Sequence, residues 1–115
     1  MCMIERWSFD NDELFDLVVS GQKCGTCCLY NVGDKIESVG DIEIIYNSHG
    51  KEQKIEITAV KIARFCDVDD DWARSEGEGD LSLEYWRRVH LAFFRNIKPD
   101  FAETDMLCLT SFTKR

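Results

Sequence analysis

Proline is nearly missing from this chain: Pro99 is the only one in 115 residues. With seven glycines beside it, the sequence has no Pro/Gly-rich linker, no low-complexity tract and no internal repeat. One domain over residues 1–115 is the expectation. A chain of this length buries roughly two-thirds of its unfolded surface and needs no metal or disulfide staple. Long apolar runs are missing too, and nothing approaches the ~20 residues of a membrane span. The start, Met1-Cys2-Met3-Ile4-Glu5-Arg6, has neither the basic end nor the apolar centre of an export signal. A cytoplasmic protein without a membrane partner is therefore expected.

Positive charge is also scarce. Fourteen Lys and Arg face 22 Asp and Glu, a net charge of −8, with much of the acid between Asp67 and Asp80. Gripping a long phosphate backbone relies on a basic surface that releases counterions. The balance disfavours avid, nonspecific binding of long nucleic acid, and no DNA partner is expected. It leaves room for a small ligand, or for a short RNA held near Arg87, Arg88 and Arg95. Histidine is limited to His49 and His90, which form no obvious pair. A ribonuclease built here would have to use Lys23 and a glutamate.

Cysteine, by contrast, is plentiful: Cys2, Cys24, Cys27, Cys28, Cys66 and Cys108. Without an export signal, reduced thiols are expected. Cys24-x-x-Cys27-Cys28 has the look of half a zinc site, but no second paired cluster follows, so neither metal nor cofactor is assigned.

Local patterns predict the elements. Asp10-Asn11-Asp12-Glu13 before Leu14, Leu17 and Val18 reads as an acid-capped helix ending near Gly21. Thr26 to Tyr30 is strand-like. Ile42 to Tyr46 and Ile55 to Ile62, about the turn Asn47–Lys51, read as a hairpin, with Ile55, Ile57, Ala59 and Lys61 sharing one face. Val68 to Ser75 forms a short helix with Gly77 past its end. A longer helix, capped by Asp80 or Ser82, carries Leu83, Trp86, Val89 or His90, and Phe93 at helical spacing and stops before Pro99. Met106 to Phe112 is a last strand. Together these describe a small α+β domain, a barrel with helices against it.

The chemistry concentrates in two stretches, Ser20-Gly21-Gln22-Lys23-Cys24-Gly25-Thr26 and Glu76-Gly77-Glu78-Gly79-Asp80. Lysine, threonine hydroxyl and carboxylate can together activate a nucleophile, provided the fold joins them. On pattern alone Lys23, Glu76 and Glu78 are solvated charges, Thr26 is a strand-surface residue, and Trp86, His90 and Phe93 pack in a core. Trp7 and Tyr30 are candidates to stack on an unpaired base.

Carried by Trp7-Ser8-Phe9, Leu17 to Thr26, Val39-Gly40-Asp41, the hairpin, Glu76 to His90, Phe93-Phe94 and the final strand, the chain resembles the ASCH family. The resemblance runs over nearly the whole length and implies a small PUA-like β-barrel with flanking helices. It also implies a cleft for RNA or a modified nucleoside. Some relatives are amidohydrolases that deacylate N4-acetylcytidine with a lysine, a threonine and a glutamate. Lys23 and Thr26 match the first two, and Glu76, with Glu78 as the alternative, matches the third. Other readings that the family implies are a noncatalytic RNA-binding module and a ribonuclease. The family has threonine or serine after the lysine where this chain has Cys24, which keeps the size of the side chain but not its hydroxyl. Cys24, Trp7, Tyr30 and Glu78 are the candidate ligand-binding residues.

Overall fold

The computed structural model describes residues 5–9 and 11–115. Five strands form one curled, half-barrel sheet with three helices against it. In chain order these are β1 (Glu5–Trp7), α1 (Asp12–Ser20), β2 (Gly25–Leu29), β3 (Ile42–Tyr46) and β4 (Glu52–Arg64). A single 3-10 turn (Phe65–Asp67), α2 (Asp70–Glu76), α3 (Leu83–Ile97) and β5 (Met106–Lys114) complete it. The sheet order is β1-β3-β4-β5-β2. Only β1 runs parallel to its neighbour, β3; the other three pairings are antiparallel.

The helices begin and end where local chemistry says they should. The Asn11 side chain accepts from the Leu14 amide, and Gly21, left-handed at φ 86°, closes α1. Asp69 accepts from the Trp72 amide at the start of α2, and Gly77 closes it at φ 71°. Ser82, rather than Asp80, caps α3. Asp10, part of the acidic start read from the sequence, lies outside the described residues, as does Cys2.

Both faces of the sheet are covered. On one face Leu107, Leu109 and Ala63 pack against Phe65, Val68, Ala73, Trp86, Phe94 and Phe101 from the α2–α3 side. On the other, Phe112, Ile45, Ile55 and Ile57 pack against Phe15 and Val18 of α1. Strand alternation explains how β5 serves both cores, since Leu107 and Phe112 fall on opposite sides.

Here the structure corrects the expected alternation in the hairpin. Ile57 pairs with Phe112 and Ala59 with Ser111, so Thr58 is an extra residue in β4. A bulge of one residue reverses which side chains point inward. Val60, not Ala59, therefore joins Ile55 and Ile57 against α1, while Lys61 turns to the α2 side beside Trp72 and Ser75. The strand β1 was not predicted: three residues carry too little pattern, and its pairing with β3 is tertiary.

Candidate functional site

Segments distant in sequence meet where the chain leaves α1. The Lys23 amide donates to the Leu17 carbonyl at 3.0 Å, and the Cys24 amide to the Ser75 carbonyl at 2.7 Å. The Gln22 side-chain amide donates to the Gly77 carbonyl at 2.6 Å. These bonds hold the loop after α1 against the end of α2, placing Lys23 beside Glu76 and Glu78.

Lys23 is 2% exposed and Glu76 1%, which corrects the expectation of solvated charges for both. Lys23 Nζ donates to Glu76 Oε1 at 3.2 Å, to the Glu76 carbonyl at 3.3 Å and to Glu78 Oε2 at 2.9 Å. Its ammonium also lies 5.5 Å from the centre of the Phe9 ring. Glu78 is partly exposed and faces the cleft, so both acids weighed from the sequence reach the lysine.

Glu76 is held from all sides. Its Oε2 accepts from the indole N–H of Trp72 and of Trp86, each at 2.6 Å. Its Oε1 faces Lys23 and, at 3.6 Å, His90 Nε2. Burial alone pushes this carboxyl up. The hydrogen bond from His90, the Lys23 charge and the Trp86 indole outweigh it and bring the carboxyl down to about 2. Burial lowers the His90 pKa, but the Glu76 carboxylate and the Trp86 carbonyl reverse that, and the net shift is upward. The His90 ring stacks on Trp86 at 4.4 Å and 17°. Its Nδ1–H donates to the Trp86 carbonyl at 2.9 Å, which leaves Nε2 turned toward the carboxylate. The Cys27 thiol, half-buried beside Glu76, is pushed well up, first by loss of solvation and then by that carboxylate.

These groups line a cleft of about 290 Å³, with Ser8, Phe9, Thr26, Val89 and Phe93 among its walls. Three of the residues singled out in the sequence, Lys23, Thr26 and Glu76, thus border one cavity with Glu78. Trp7, Cys24 and Tyr30 are not among its lining residues. The Trp7 indole donates to Glu43 at 2.8 Å and its ring meets Phe9 edge-on. The Cys24 thiol donates to the Gly21 carbonyl at 3.3 Å, and the Tyr30 amide donates to the Met106 carbonyl. Of Trp86, His90 and Phe93, only Trp86 is buried in the core. Phe93 is 42% exposed, and His90 belongs to the cleft.

Sequence reasoning missed Cys27, Phe9 and Asn11 as cleft residues and the two indoles as clamps on Glu76. The i, i+4 spacing of Trp72 to Glu76 and of Trp86 to His90 was a usable signal. Beyond the cleft, Arg87 and Arg95 reach backbone carbonyls of Val68 and Phe101, which ties down part of the basic surface.

The fold and site define a small α+β, PUA-like domain with a buried lysine between two carboxylates. The chain belongs to the ASCH domain family, whose model matches residues 5–114. It is similar to an ASCH domain from Lactobacillus crispatus, at 32% identity and TM-score 0.83, over 96% of this chain and 79% of that one. A protein from Enterococcus faecalis is 28% identical, also at TM-score 0.83, over 99% of this chain and 81% of that one. A solution structure from Pyrococcus furiosus, 14% identical at TM-score 0.54 over 97% of each chain, shares the fold alone. No curated protein matches this chain. Among the described residues, no helix is long and apolar enough to cross a membrane.

Proposed function

We propose that this ASCH domain is an amidohydrolase that removes the acyl group from an N4-acylated cytidine or a closely similar modified nucleoside. The observation that carries the reading is the meeting of Lys23, Thr26 and Glu76 in one cleft of nucleoside-like size. The net charge of −8 and the two carboxylates in the cleft favour a small, largely uncharged ligand over a phosphate chain.

The chemistry follows from the hydrogen bonds. The Thr26 hydroxyl, or a water it orients, attacks the acyl carbon; where Thr26 itself attacks, water then hydrolyses the resulting ester and restores the hydroxyl. Lys23 serves as the base, and for this it must first pass a proton to a neighbour; Glu78 Oε2 at 2.9 Å is the acceptor in reach. The proton taken from the nucleophile then moves from Lys23 across 3.2 Å to Glu76 Oε1. From Glu76 it passes to the departing N4 amine. Water and amide are consumed, and carboxylic acid and cytidine are released. Trp72 and Trp86 fix Oε2, so Oε1 alone is free to carry the proton.

Incubating the purified protein with N4-acetylcytidine, with product followed by chromatography beside a Lys23→Ala control of verified fold, tests this. Cytidine from the unaltered protein and none from the variant supports the assignment. No cytidine from folded protein, together with salt-dependent retention of a short RNA, replaces it with a noncatalytic RNA-binding module. Release of shortened RNA replaces it with a ribonuclease.

A further inference from the structure

Cys27, Glu76 and His90 all line the cleft, and one donor atom from each lies within 4.8 Å of the others. They come from β2, the last residue of α2 and the middle of α3. The partners of Cys27 are not other cysteines. Cys24, Cys28 and Cys66 are exposed, whereas the fold brings a carboxylate and an imidazole to Cys27.

We propose that Cys27, Glu76 and His90 form a binding site for a zinc-class divalent cation, with its fourth position open to the cleft. The donor set is one sulfur, one nitrogen and one oxygen. That mixture suits zinc, and three protein ligands with one open position is its usual arrangement outside purely structural sites. Magnesium and calcium ask for oxygen donors and fit poorly.

Geometry agrees with the donor chemistry. Tetrahedral ligands bonded at about 2.0–2.3 Å stand roughly 3.3–3.7 Å from one another. Glu76 Oε1 and His90 Nε2 are already 3.6 Å apart, and the thiol need close by only about 1 Å to meet the same spacing. Outer contacts aim both ligands. The Trp86 carbonyl accepts from His90 Nδ1–H and so directs Nε2 inward. The two indoles occupy Glu76 Oε2 and leave Oε1 for the cation. Lys23 is retained by Glu78 at 2.9 Å when Oε1 turns away. Coordination displaces the proton of the Cys27 thiol and any proton on His90 Nε2 into solvent.

Occupancy has a consequence for the proposed hydrolysis. Glu76 Oε1 cannot ligate a cation and carry a proton at once, so zinc is expected to suppress turnover. That consequence rests on the nucleoside reading; the binding itself does not.

The test uses the full chain, stripped by a chelator and kept reduced, with no substrate present. Zinc is added in a calorimeter and cobalt(II) in a spectrophotometer. One equivalent should bind with proton release, and cobalt should show a thiolate charge-transfer band. Cys27→Ser should remove the band and weaken zinc by at least about tenfold. His90→Gln should weaken zinc similarly, and Cys28→Ser and Cys66→Ser should leave both readouts intact, circular dichroism verifying each fold. Absence of one-to-one binding overturns the site. So does binding that survives either Cys27→Ser or His90→Gln, or that is lost with Cys28→Ser or Cys66→Ser. Failure here leaves the hydrolysis untouched, because no turnover is measured. A protein that releases no cytidine can still pass this test.

Discussion

The Gln22 carbonyl oxygen lies so close to the α-carbon of Gly77 that a methyl group there would overlap it. The same two residues are joined by the Gln22 side-chain amide, which donates to the Gly77 carbonyl at 2.6 Å. This contact seats Lys23 beside Glu76. Gly77 is thus required twice, for its left-handed backbone and for its missing side chain.

Gly21 separates the two requirements. It is also left-handed, at φ 86°, but nothing lies within 4 Å of where a Cβ would stand. Gly21→Ala should cost about 1–2 kcal/mol from backbone strain alone. Gly77→Ala should cost more, on the order of 3 kcal/mol, because the loop before Lys23 must shift as well. Urea unfolding of the two variants checks the order; equal losses would mean that the close approach is unimportant.

The two acids around Lys23 should behave differently. Glu76 is fully buried and accepts from two indoles and the lysine. Glu76→Gln places an amide N–H₂ among donors and leaves Lys23 with less compensation inside the protein. We expect a loss of about 3–5 kcal/mol, together with any turnover. Glu78→Gln leaves Lys23 paired with Glu76 and should stay within about 1 kcal/mol of the parent protein. Denaturant midpoints for both variants decide which carboxylate the fold depends on.

Trp72→Phe keeps an aromatic ring at this position but removes one of the two N–H donors to Glu76 Oε2. The expected cost is about 1–3 kcal/mol, the penalty for a buried carboxylate that loses a hydrogen bond. Thermal unfolding of Trp72→Phe measures it. A midpoint that does not move would show that the Trp86 indole suffices.

Glu43 supplies a pH dependence. It is buried at 4% exposure; that burial raises its pKa above the ordinary carboxylate value, against the opposing hydrogen bond from Trp7. A carboxyl whose pKa is raised on folding binds its proton more tightly in the native state. Its contribution is therefore complete below the unfolded pKa and is lost as pH rises through the folded one. Glu43→Gln, uncharged throughout, should be more stable than the parent protein near neutral pH. The advantage should fade toward about pH 4. Stability of the pair measured across that range checks the sign.

The local rules were legible and the meetings were not. Asn11, Gly21, Ser82 and Gly77 act through bonds to residues three positions away, so those helix ends could be read from the sequence. By contrast, α2 starts at Asp70 behind the Asp69 cap and not at Val68. The hairpin was equally visible, but the bulge at Thr58 was not, because no residue type demands an extra position there. Sequence reasoning treated Lys23 as a surface charge for a similar reason: its burial depends on Gln22 and Cys24 bonding to Gly77 and Ser75, more than fifty positions away.

By itself the amino-acid sequence determined the α+β character, the helix ends, the hairpin and the residue types available for chemistry. Each follows from capping, periodicity or turn preference within a few positions. Only the tertiary structure decided that Glu76 ends a helix beneath two indoles, that His90 faces it, and that Thr26 and Cys27 border the same cleft. Those relations come from helices packed across a curled sheet. Side chains brought together in that way carry no mark of one another in the chain.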